Sequence, residues 1–267
     1  MAAFPVFAFD NAIVRLPASS VVNGLRAEDR GAPTHEGIGA EHRAYVEALE
    51  LAGVAVEVLP ALDAFPDSIF VEDPALVFPE GAILLRPGAP SRFGETAAIE
   101  PVLRRRFERV LSLPGPGFAD GGDVLVTPGA VMIGLSDRTS REGAEALIGR
   151  LAEFGRKGVV VATPPGVLHF KSDCSLLDDA TVLSTARLAA SGVFEGMRVL
   201  HTPEGEEAGA NVLRVNERVL VGEDYPRTAA LLEAEGYSVV RLPTSQIARI
   251  DAGLSCMSLR WHARSAP

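Results

Sequence analysis

A short strand-like segment that ends in a proline recurs five times along this 267-residue chain. Each copy is rich in Val and Leu, as β-strands are, and the proline then ends the strand and begins a loop. The intervals between copies are about 40 to 54 residues, a length that indicates an architecture of repeated units. The segments end at Pro60, Pro114, Pro164, Pro203 and Pro243.

Most of these strands follow a segment with helical character. Three such segments end at a glycine, Gly53, Gly155 or Gly236, as helices commonly do. The second opens on a Thr-Ser cap and the third on a proline, which are typical helix starts. The stretch 104–109 takes the same place before Pro114. The pattern predicts that a helix leads into most of the five strands.

Four of the loops that follow these strands lead into a predicted β-hairpin. The hairpins cover residues 72–85, 121–134, 173–184 and 209–222, with turn signals such as PEG and TPG at their centres. The fifth unit would join residues 10–17 to residues 255–261, which closes a ring without exposed sheet edges. We therefore predict one α/β domain over residues 1–267, with pseudo-fivefold ββαβ repeats closed by the two terminal segments. An ordinary α/β sheet with irregular connections is the alternative.

Composition limits the partners of the chain. A net charge of -10 and a pI near 5.1 argue against nucleic acid and anionic membranes as partners, since both need a basic surface. The sequence shows no signal peptide and no apolar run long enough to span a bilayer, and its two cysteines are expected to be free thiols. Motifs for metals and nucleotides are absent from the sequence. We expect a cytoplasmic protein without a metal or cofactor.

In a ring of this kind the loops after the prolines should all open at one end, so their polar residues can meet. A cysteine, a histidine and an acid can act as nucleophile, proton carrier and orienting group. The additional carboxylates suit a planar cationic group held by paired hydrogen bonds. The residues in question are Asp67, Glu72, Asp73, Asp120, Asp123, His169, Glu206, Glu207 and Cys256.

Each of these residues also has an ordinary interpretation. A cysteine is more often a small buried hydrophobic residue, which is our expectation for Cys174, and a lone histidine is more often a core or surface residue. The EDP and GGD segments are common in turns. Arg92 and Arg138 follow hairpin strands, and they are either solvated loop residues or a clamp for an α-carboxylate. Only the matching positions in the repeat favour a site.

Six motifs together resemble the dimethylarginine dimethylaminohydrolase family of the guanidino-group-modifying, or pentein, superfamily. The resemblance covers nearly the whole chain, and it implies the five-bladed α/β propeller fold of that superfamily. The motifs are FVED at 70–73, RPGAPSR at 86–92, DGGDVL at 120–125, GLSDRT at 134–139, LHFKSDCS at 168–175 and DAGLSCMS at 251–258.

The resemblance implies roles by position. Cys256 matches the nucleophile, His169 the general acid/base and Asp120 the acid that orients the histidine. The remaining matches concern substrate: the carboxylates around the guanidinium are Asp67, Glu72 and Asp73, the α-carboxylate partners are Arg92 and Arg138, and the backbone contacts are Leu25 and Ile250. Leu25 lies in a segment, residues 19–37, that is a lid in this family.

The implied activity is hydrolysis of Nω-methylated arginines to citrulline and an amine through a covalent cysteine intermediate. The implied partner is a small cationic amino acid, and a homodimer is one expectation for the oligomeric state. Arginine deiminase and citrulline hydrolase are alternatives from the same superfamily. A non-catalytic arginine-binding protein is an alternative of another class, which the joint presence of Cys256 and His169 disfavours because it would not need both. Catabolic use of methylarginine and control of nitric oxide synthase inhibitors both stay open as biological roles.

Overall fold

The computed structural model of the chain describes residues 4–27 and 29–263. Its strands, in chain order, are β1 (Asn11–Arg15), β2 (Ala55–Leu59), β3 (Ala75–Phe78), β4 (Gly81–Leu84), β5 (Val110–Ser112), β6 (Val124–Val126), β7 (Val131–Leu135), β8 (Gly158–Ala162), β9 (Cys174–Leu176), β10 (Thr181–Ser184), β11 (Arg198–His201), β12 (Leu213–Val215), β13 (Arg218–Gly222), β14 (Ser238–Leu242) and β15 (Leu259–Trp261). The helices are α1 (His35–Leu51), α2 (Glu95–Arg106), α3 (Arg141–Glu153), α4 (Ala186–Ala189) and α5 (Pro226–Ala234).

The strands form five three-stranded sheets of one design. In each sheet an antiparallel pair of strands, a hairpin in four of the five, is joined by a third strand that runs parallel to the middle one. The third strand is always one of the five proline-terminated segments: β2, β5, β8, β11 or β14. The predicted pseudo-fivefold repeat is therefore confirmed, and the single irregular sheet is wrong.

The two ends of the chain share one sheet, as predicted. Strand β1 pairs antiparallel with β15, so that Asn11 lies opposite Trp261 and Ile13 opposite Leu259. It also pairs parallel with β2, where Val14 is in register with Val58. This sheet carries the unit that contains Cys256, so the proposed nucleophile depends on a contact between residues far apart in sequence.

Local sequence signals set the helix boundaries. The side chain of Thr34 caps α1 and accepts from Gly37 N, and Ser140 caps α3 in the same way. Helix α5 begins with Pro226. The predicted terminal glycines Gly53, Gly155 and Gly236 all have positive φ, which glycine adopts without steric cost. The stretch 104–109, predicted to be helical, is only partly so, because α2 ends at Arg106. The single-turn helix α4 was not predicted, although the side chain of Thr185 caps it and accepts from Leu188 N.

Five hydrophobic clusters hold the units together. Leu147 and Leu151 of α3 are fully buried in one cluster, together with apolar residues of the strands β3 to β7. Cys174 is fully buried in another cluster. A fully buried Leu stabilises the fold by about 1.5–3 kcal/mol. Cys174 therefore has the core role predicted for it. Among the residues that the structure describes, no helix is long and apolar enough to cross a membrane.

The first strand of each hairpin, together with β15, lines the centre of the arrangement. Neighbouring inner strands contact one another, as β15 does with β3 and β9 with β12. The loops that lead into these inner strands therefore meet at one end of the centre, while the hairpin turns meet at the other. The candidate site lies at the first of these ends.

Candidate active site

Four of the inner strands are preceded by a short 3-10 turn, and these turns carry the predicted catalytic residues. Asp120 directly precedes the turn Gly121–Asp123, and His169 precedes the turn Phe170–Ser172. Cys256 lies within the turn Leu254–Met257. Asp120 and His169 thus occupy the same position before their turns, whereas Cys256 lies inside its turn, so the predicted equivalence holds for the loops but not for the exact positions.

His169, which is half-buried, pairs with the fully buried Asp120. His169 Nε2 lies 3.0 Å from Asp120 Oδ2, and Gly88 N donates to the other carboxylate oxygen at 2.7 Å. Burial alone would lower the pKa of His169, but the hydrogen bond to Asp120 and the charges of Asp73 and Asp123 outweigh it and raise that pKa to about 9. The imidazole is therefore protonated at neutral pH and can donate a proton.

Asp123 fixes the turn on which His169 sits. Its carboxylate is fully buried and accepts from Ser136 Oγ at 2.6 Å, Thr139 Oγ1 at 2.7 Å and Phe170 N at 2.8 Å. These bonds join the second and third units directly behind the histidine. Asp123 is thus a positioning residue, a role that the sequence did not separate from that of Asp120.

Gly122 leaves space that the site needs. A Cβ atom at this position would lie 2.8 Å from His169 Cγ and 3.0 Å from Asp73 Oδ1, closer than carbon atoms can approach without displacement. Gly122 N also donates to Asp73 Oδ1 at 2.9 Å. The glycine therefore allows the imidazole and the Asp73 carboxylate to pack against the same stretch of backbone.

The Cys256 thiol is half-buried among polar groups. Asn211 Nδ2 is 3.9 Å from its sulfur, and the carbonyl of Cys256 accepts from Glu72 N at 3.3 Å. Burial, and then the charges of Glu72 and Asp73, raise the pKa of the thiol to about 11. The thiol is thus neutral at pH 7, and a positive charge placed near these carboxylates would favour the thiolate.

The Glu72 carboxylate, whose charge acts on the thiol, is also paired with two buried cations. It is ion-paired with Lys171, and Arg260 Nη2 lies 3.4 Å from the same oxygen. All three side chains are at most 10% exposed. A direct contact of Glu72 with a substrate guanidinium stays a prediction. In this conformation the carboxylate serves the two buried cations.

Arg92 is buried, so the interpretation as a solvated loop residue is wrong for it. Its guanidinium contacts the Asp73 carboxylate, and it lies 2.6 Å from Glu95 Oε2. Burial raises the pKa of Glu95 to about 7, although Arg92 opposes this rise. Arg138 is half-buried, and its backbone packs under Gly88. The carboxylate clamp of Arg92 and Arg138 stays a prediction.

The segment predicted to be a lid, residues 19–37, is joined to the predicted substrate-binding residues through Asp67 and Asp251. Leu25 N donates to Asp67 Oδ1 at 2.9 Å, and Ala27 N donates to Asp251. Gly24 packs against both Asp67 and Ile250, because a Cβ atom there would be 3.1 Å and 3.3 Å from their atoms. Asp67 therefore groups with Leu25 and Ile250, the residues predicted at the amino-acid end of the substrate. Glu28 lies outside the described residues.

Glu206 and Glu207 do not join the site, contrary to the expectation from their loop. Glu206 accepts from Thr228 N at 2.8 Å and from Arg227 N at 3.1 Å, so it stabilises the start of α5. Glu207 accepts from Gly205 N within its own turn. In this unit Asn211 faces the thiol instead. Asn211 precedes the inner strand β12 by two residues, as Asp73 precedes β3. This shared position is the sequence signal that could have identified Asn211 as a residue of the site.

Asp73, Asp120 and His169 offer three donor atoms within 4.8 Å of one another. A metal could in principle use such a set, but each of these groups already has a protein partner: Arg92 and Gly122 for Asp73, and one another for the Asp120–His169 pair. The geometry is that of a charge-stabilised imidazolium. Chemically, the site offers an acid, a thiol and several carboxylates around one point.

Comparison with known proteins places these features in a family. The arginine deiminase family model matches residues 57–199. The N(G),N(G)-dimethylarginine dimethylaminohydrolase of Pseudomonas aeruginosa is 38% identical over 95% of this chain and 100% of its own length, and that of Streptomyces coelicolor is 36% identical over 93% and 96%. A solved structure of DDAH from P. aeruginosa, a cysteine-to-serine mutant complexed with citrulline, superposes with a TM-score of 0.92 at 38% identity, covering 95% of this chain and 100% of that one. With this fold and this arrangement of thiol, imidazole and carboxylates, the chain belongs to the dimethylarginine dimethylaminohydrolase family.

Proposed function

We propose that this protein hydrolyses Nω-methylated arginines to citrulline and dimethylamine or methylamine. The observation that carries the proposal is that one buried carboxylate, Asp73, acts on both the Cys256 thiol and the His169 imidazolium. A protonated acid suits an amine leaving group, and an acid-rich thiol site suits a cationic substrate. Family membership supports the same substrate class, because the named relatives act on dimethylarginine.

The amino-acid end of the substrate is assigned to the lid side of the site. Arg138 and Arg92 are the candidates for its α-carboxylate. Asp67, held between Leu25 and Ile250, suits its α-ammonium group better than its guanidinium. The guanidinium is then left to Asp73, which lies between His169 and Arg92. To bind the carboxylate, Arg92 has to exchange part of its contact with Asp73 for the substrate.

The first chemical step is attack of the Cys256 thiolate on the guanidinium carbon. A bound guanidinium offsets the Glu72 and Asp73 charges that raise the pKa of the thiol, so the substrate favours the deprotonation of its own nucleophile, and the thiol proton passes to water. The bond from carbon to the methylated nitrogen breaks, and that nitrogen takes a proton from His169. An amine leaves, and an S-alkylthiouronium remains on Cys256.

The second step uses the same residues in reverse. His169, now neutral, accepts a proton from water as its oxygen attacks the thiouronium carbon. The carbon–sulfur bond breaks, the proton left on the new hydroxyl passes to the sulfur, and citrulline and the neutral thiol are formed. Asp120 keeps the imidazole oriented through both steps by its 3.0 Å contact with Nε2. Every group required in this scheme is a side chain of the chain itself.

Three further parts of the proposal rest on the sequence. We propose that residues 1–267 act as one catalytic domain, that the protein is cytoplasmic, and that it forms a homodimer. Gel filtration with light scattering tests the oligomeric state, and fractionation of the source cells tests the location. None of these parts alters the chemistry of a single site.

The substrate class predicts a rank order of rates. We expect citrulline from dimethylarginine and monomethylarginine, with kcat/KM about tenfold or more above that for arginine, since a contact with one methyl group is worth about tenfold or more. A colorimetric citrulline assay with the three substrates side by side measures it. Citrulline from arginine alone would instead identify a deiminase, and loss of added citrulline a citrulline hydrolase.

The raised thiol pKa predicts slow alkylation of the free protein at neutral pH. The rate with iodoacetamide, a neutral reagent, should rise about tenfold per pH unit between pH 7 and 9, because only the thiolate reacts. The rise should continue above pH 9, since the pKa of Cys256 is about 11. Mass spectrometry of the peptide that contains Cys256 gives the rate. A plateau by pH 8 would contradict the electrostatic account of this thiol.

A further inference from the structure

The turn that carries Cys256 is contacted by one side chain from the neighbouring unit, that of Asn211. The Asn211 Oδ1 atom accepts a hydrogen bond from Ser255 N at 3.1 Å, and its Nδ2 atom lies 3.9 Å from Cys256 Sγ. The backbone of Gly253 packs directly against the same amide, since a Cβ atom at this position would be only 2.3 Å from Asn211 Cγ. One amide group therefore contacts the nucleophile, the residue before it and the start of its turn.

The hydrogen bond to Ser255 decides which end of the amide faces the sulfur. A backbone N–H can only donate, so the oxygen of the Asn211 side chain has to face Ser255 N. Its nitrogen is then directed to Cys256 Sγ. The side chain thus presents a neutral donor to the thiol, and a hydrogen-bond donor favours the sulfur in its negatively charged form.

The position of Asn211 is fixed by the third unit. The carbonyl oxygens on either side of it, those of Ala210 and Val212, both lie 2.8 Å from Ser175 Oγ, which donates between them. Ser175 is buried in strand β9, and Asn211 N also donates to Ala208 O at 3.3 Å. The amide is therefore preorganised before substrate binds, and it needs no rearrangement when negative charge develops on the sulfur.

On balance the other surroundings of Cys256 disfavour a thiolate. Burial and the charges of Glu72 and Asp73 raise the pKa of the thiol. A further cation beside the sulfur would lower that pKa, but it would also repel a guanidinium substrate. The uncharged amide of Asn211 stabilises a thiolate without that repulsion. The hydroxyl of Ser255, 4.0 Å from the sulfur, can add a second neutral donor.

We propose that Asn211 is a further catalytic residue, whose amide oxygen holds the nucleophile turn and whose amide nitrogen donates to the Cys256 sulfur when that sulfur carries negative charge. A distance of 3.9 Å suits the neutral thiol, and the contact shortens as the thiolate forms, because charge-assisted hydrogen bonds are shorter. The effect on turnover rests on the function proposed above. The contact with the thiolate does not, since it exists without substrate.

Alkylation of Cys256 by iodoacetamide tests the contact in the absence of substrate. Asn211→Asp keeps an acceptor for Ser255 N and places a negative oxygen against the sulfur, so we expect the rate at pH 9 to fall at least about tenfold. Asn211→Ala removes the donor without adding charge and should slow alkylation about threefold to tenfold, since water replaces part of the hydrogen bond. Ala208→Asp, which adds the same charge at an exposed position of the preceding turn, should change the rate less than about twofold.

Steady-state kinetics add a readout that a merely structural role would not produce. With dimethylarginine, Asn211→Ala should lower kcat by about tenfold and leave KM within about twofold, because the amide contacts the nucleophile rather than the substrate. Alkylation of either Asn211 variant as fast as that of the unaltered protein would overturn the proposal, and the alanine variant provides the test if the aspartate variant does not fold. Absence of citrulline formation by the unaltered protein would instead contradict the proposed function, and the alkylation rates would still test Asn211.

Discussion

Cys256→Ala should lower citrulline formation from dimethylarginine by about 10⁴-fold or more, the scale seen when a catalytic nucleophile is removed. The reason is specific to this site. Without the thiol no side chain can form the covalent intermediate, while His169, Asp73 and Asp120 keep their contacts with one another. The variant should therefore still bind substrate. Single-turnover citrulline assays and calorimetric binding measure the two properties separately.

Cys174→Ala is the matched control, because Cys174 is the other of the two cysteines. It is fully buried in a hydrophobic cluster, and burial raises the pKa of its thiol. This variant should keep its activity, with at most a modest loss of stability. Mass spectrometry of acid-quenched reactions should show the thiouronium adduct on the unaltered protein and on Cys174→Ala. An adduct on Cys256→Ala, or normal turnover by it, would contradict the covalent scheme.

The architecture could be predicted from the sequence because its signals are local and repeated. Strands that end at Pro60, Pro114 or Pro243, and helices that end at Gly53 or Gly155, follow from short-range sterics. The structure reproduces each of them. The pairing of β1 with β15 could be predicted for a different reason: five equal units leave one hairpin incomplete unless the two ends combine.

The loops that face the centre were predictable, whereas the directions of their side chains were not. Asp120, His169 and Glu206 all stand immediately before a 3-10 turn. Nevertheless, Glu206 turns outwards, because the backbone amides at the start of α5 offer it hydrogen bonds. Such a choice depends on which donors lie nearby in space, and no pattern of spacing records it.

The buried cations were missed for a related reason. Lys171 lies in the motif LHFKSDCS and Arg260 in a strand, and exposed positions are usual for both residue types. Their burial follows from Glu72, which comes from another unit and reaches the same point in the centre. The burial of Arg92 has a local cause instead, because Glu95, three residues further along the chain, holds it from the first turn of α2. The ion pairs of Lys171 and Arg260 with Glu72 join different units, so they can be identified only in the folded structure.

His169→Gly should lower turnover of dimethylarginine by about 10²- to 10⁴-fold, the usual range for a general acid/base. Two steps lose their proton carrier: the departure of the amine and the activation of water. The two losses can be separated with S-methyl-L-thiocitrulline. Its methylthio group leaves as methanethiolate, so its departure needs no proton from His169. With that substrate Cys256 should still be modified, and the adduct should persist because water attack is slow. The adduct is measured by mass spectrometry at successive times after mixing.

His201→Asn, at the exposed end of β11, is the control for the loss of a histidine and should leave the rate unchanged.

Asp120→Asn tests the partner of His169. It removes the contact that holds up the pKa of the imidazole, so the pKa should fall from about 9 towards its ordinary value near 6.5. The imidazole would then lose its proton as the pH rises above that lower value, and activity at alkaline pH should fall more than activity at pH 6.

If His169→Gly turned over dimethylarginine at a normal rate, or if its adduct with S-methyl-L-thiocitrulline disappeared as fast as in the unaltered protein, another group would have to carry the proton. Within reach of the thiol the described residues offer Asp73 and Glu72 for that role, and both are already engaged with cations, which is why the imidazole is the group we expect to control both steps.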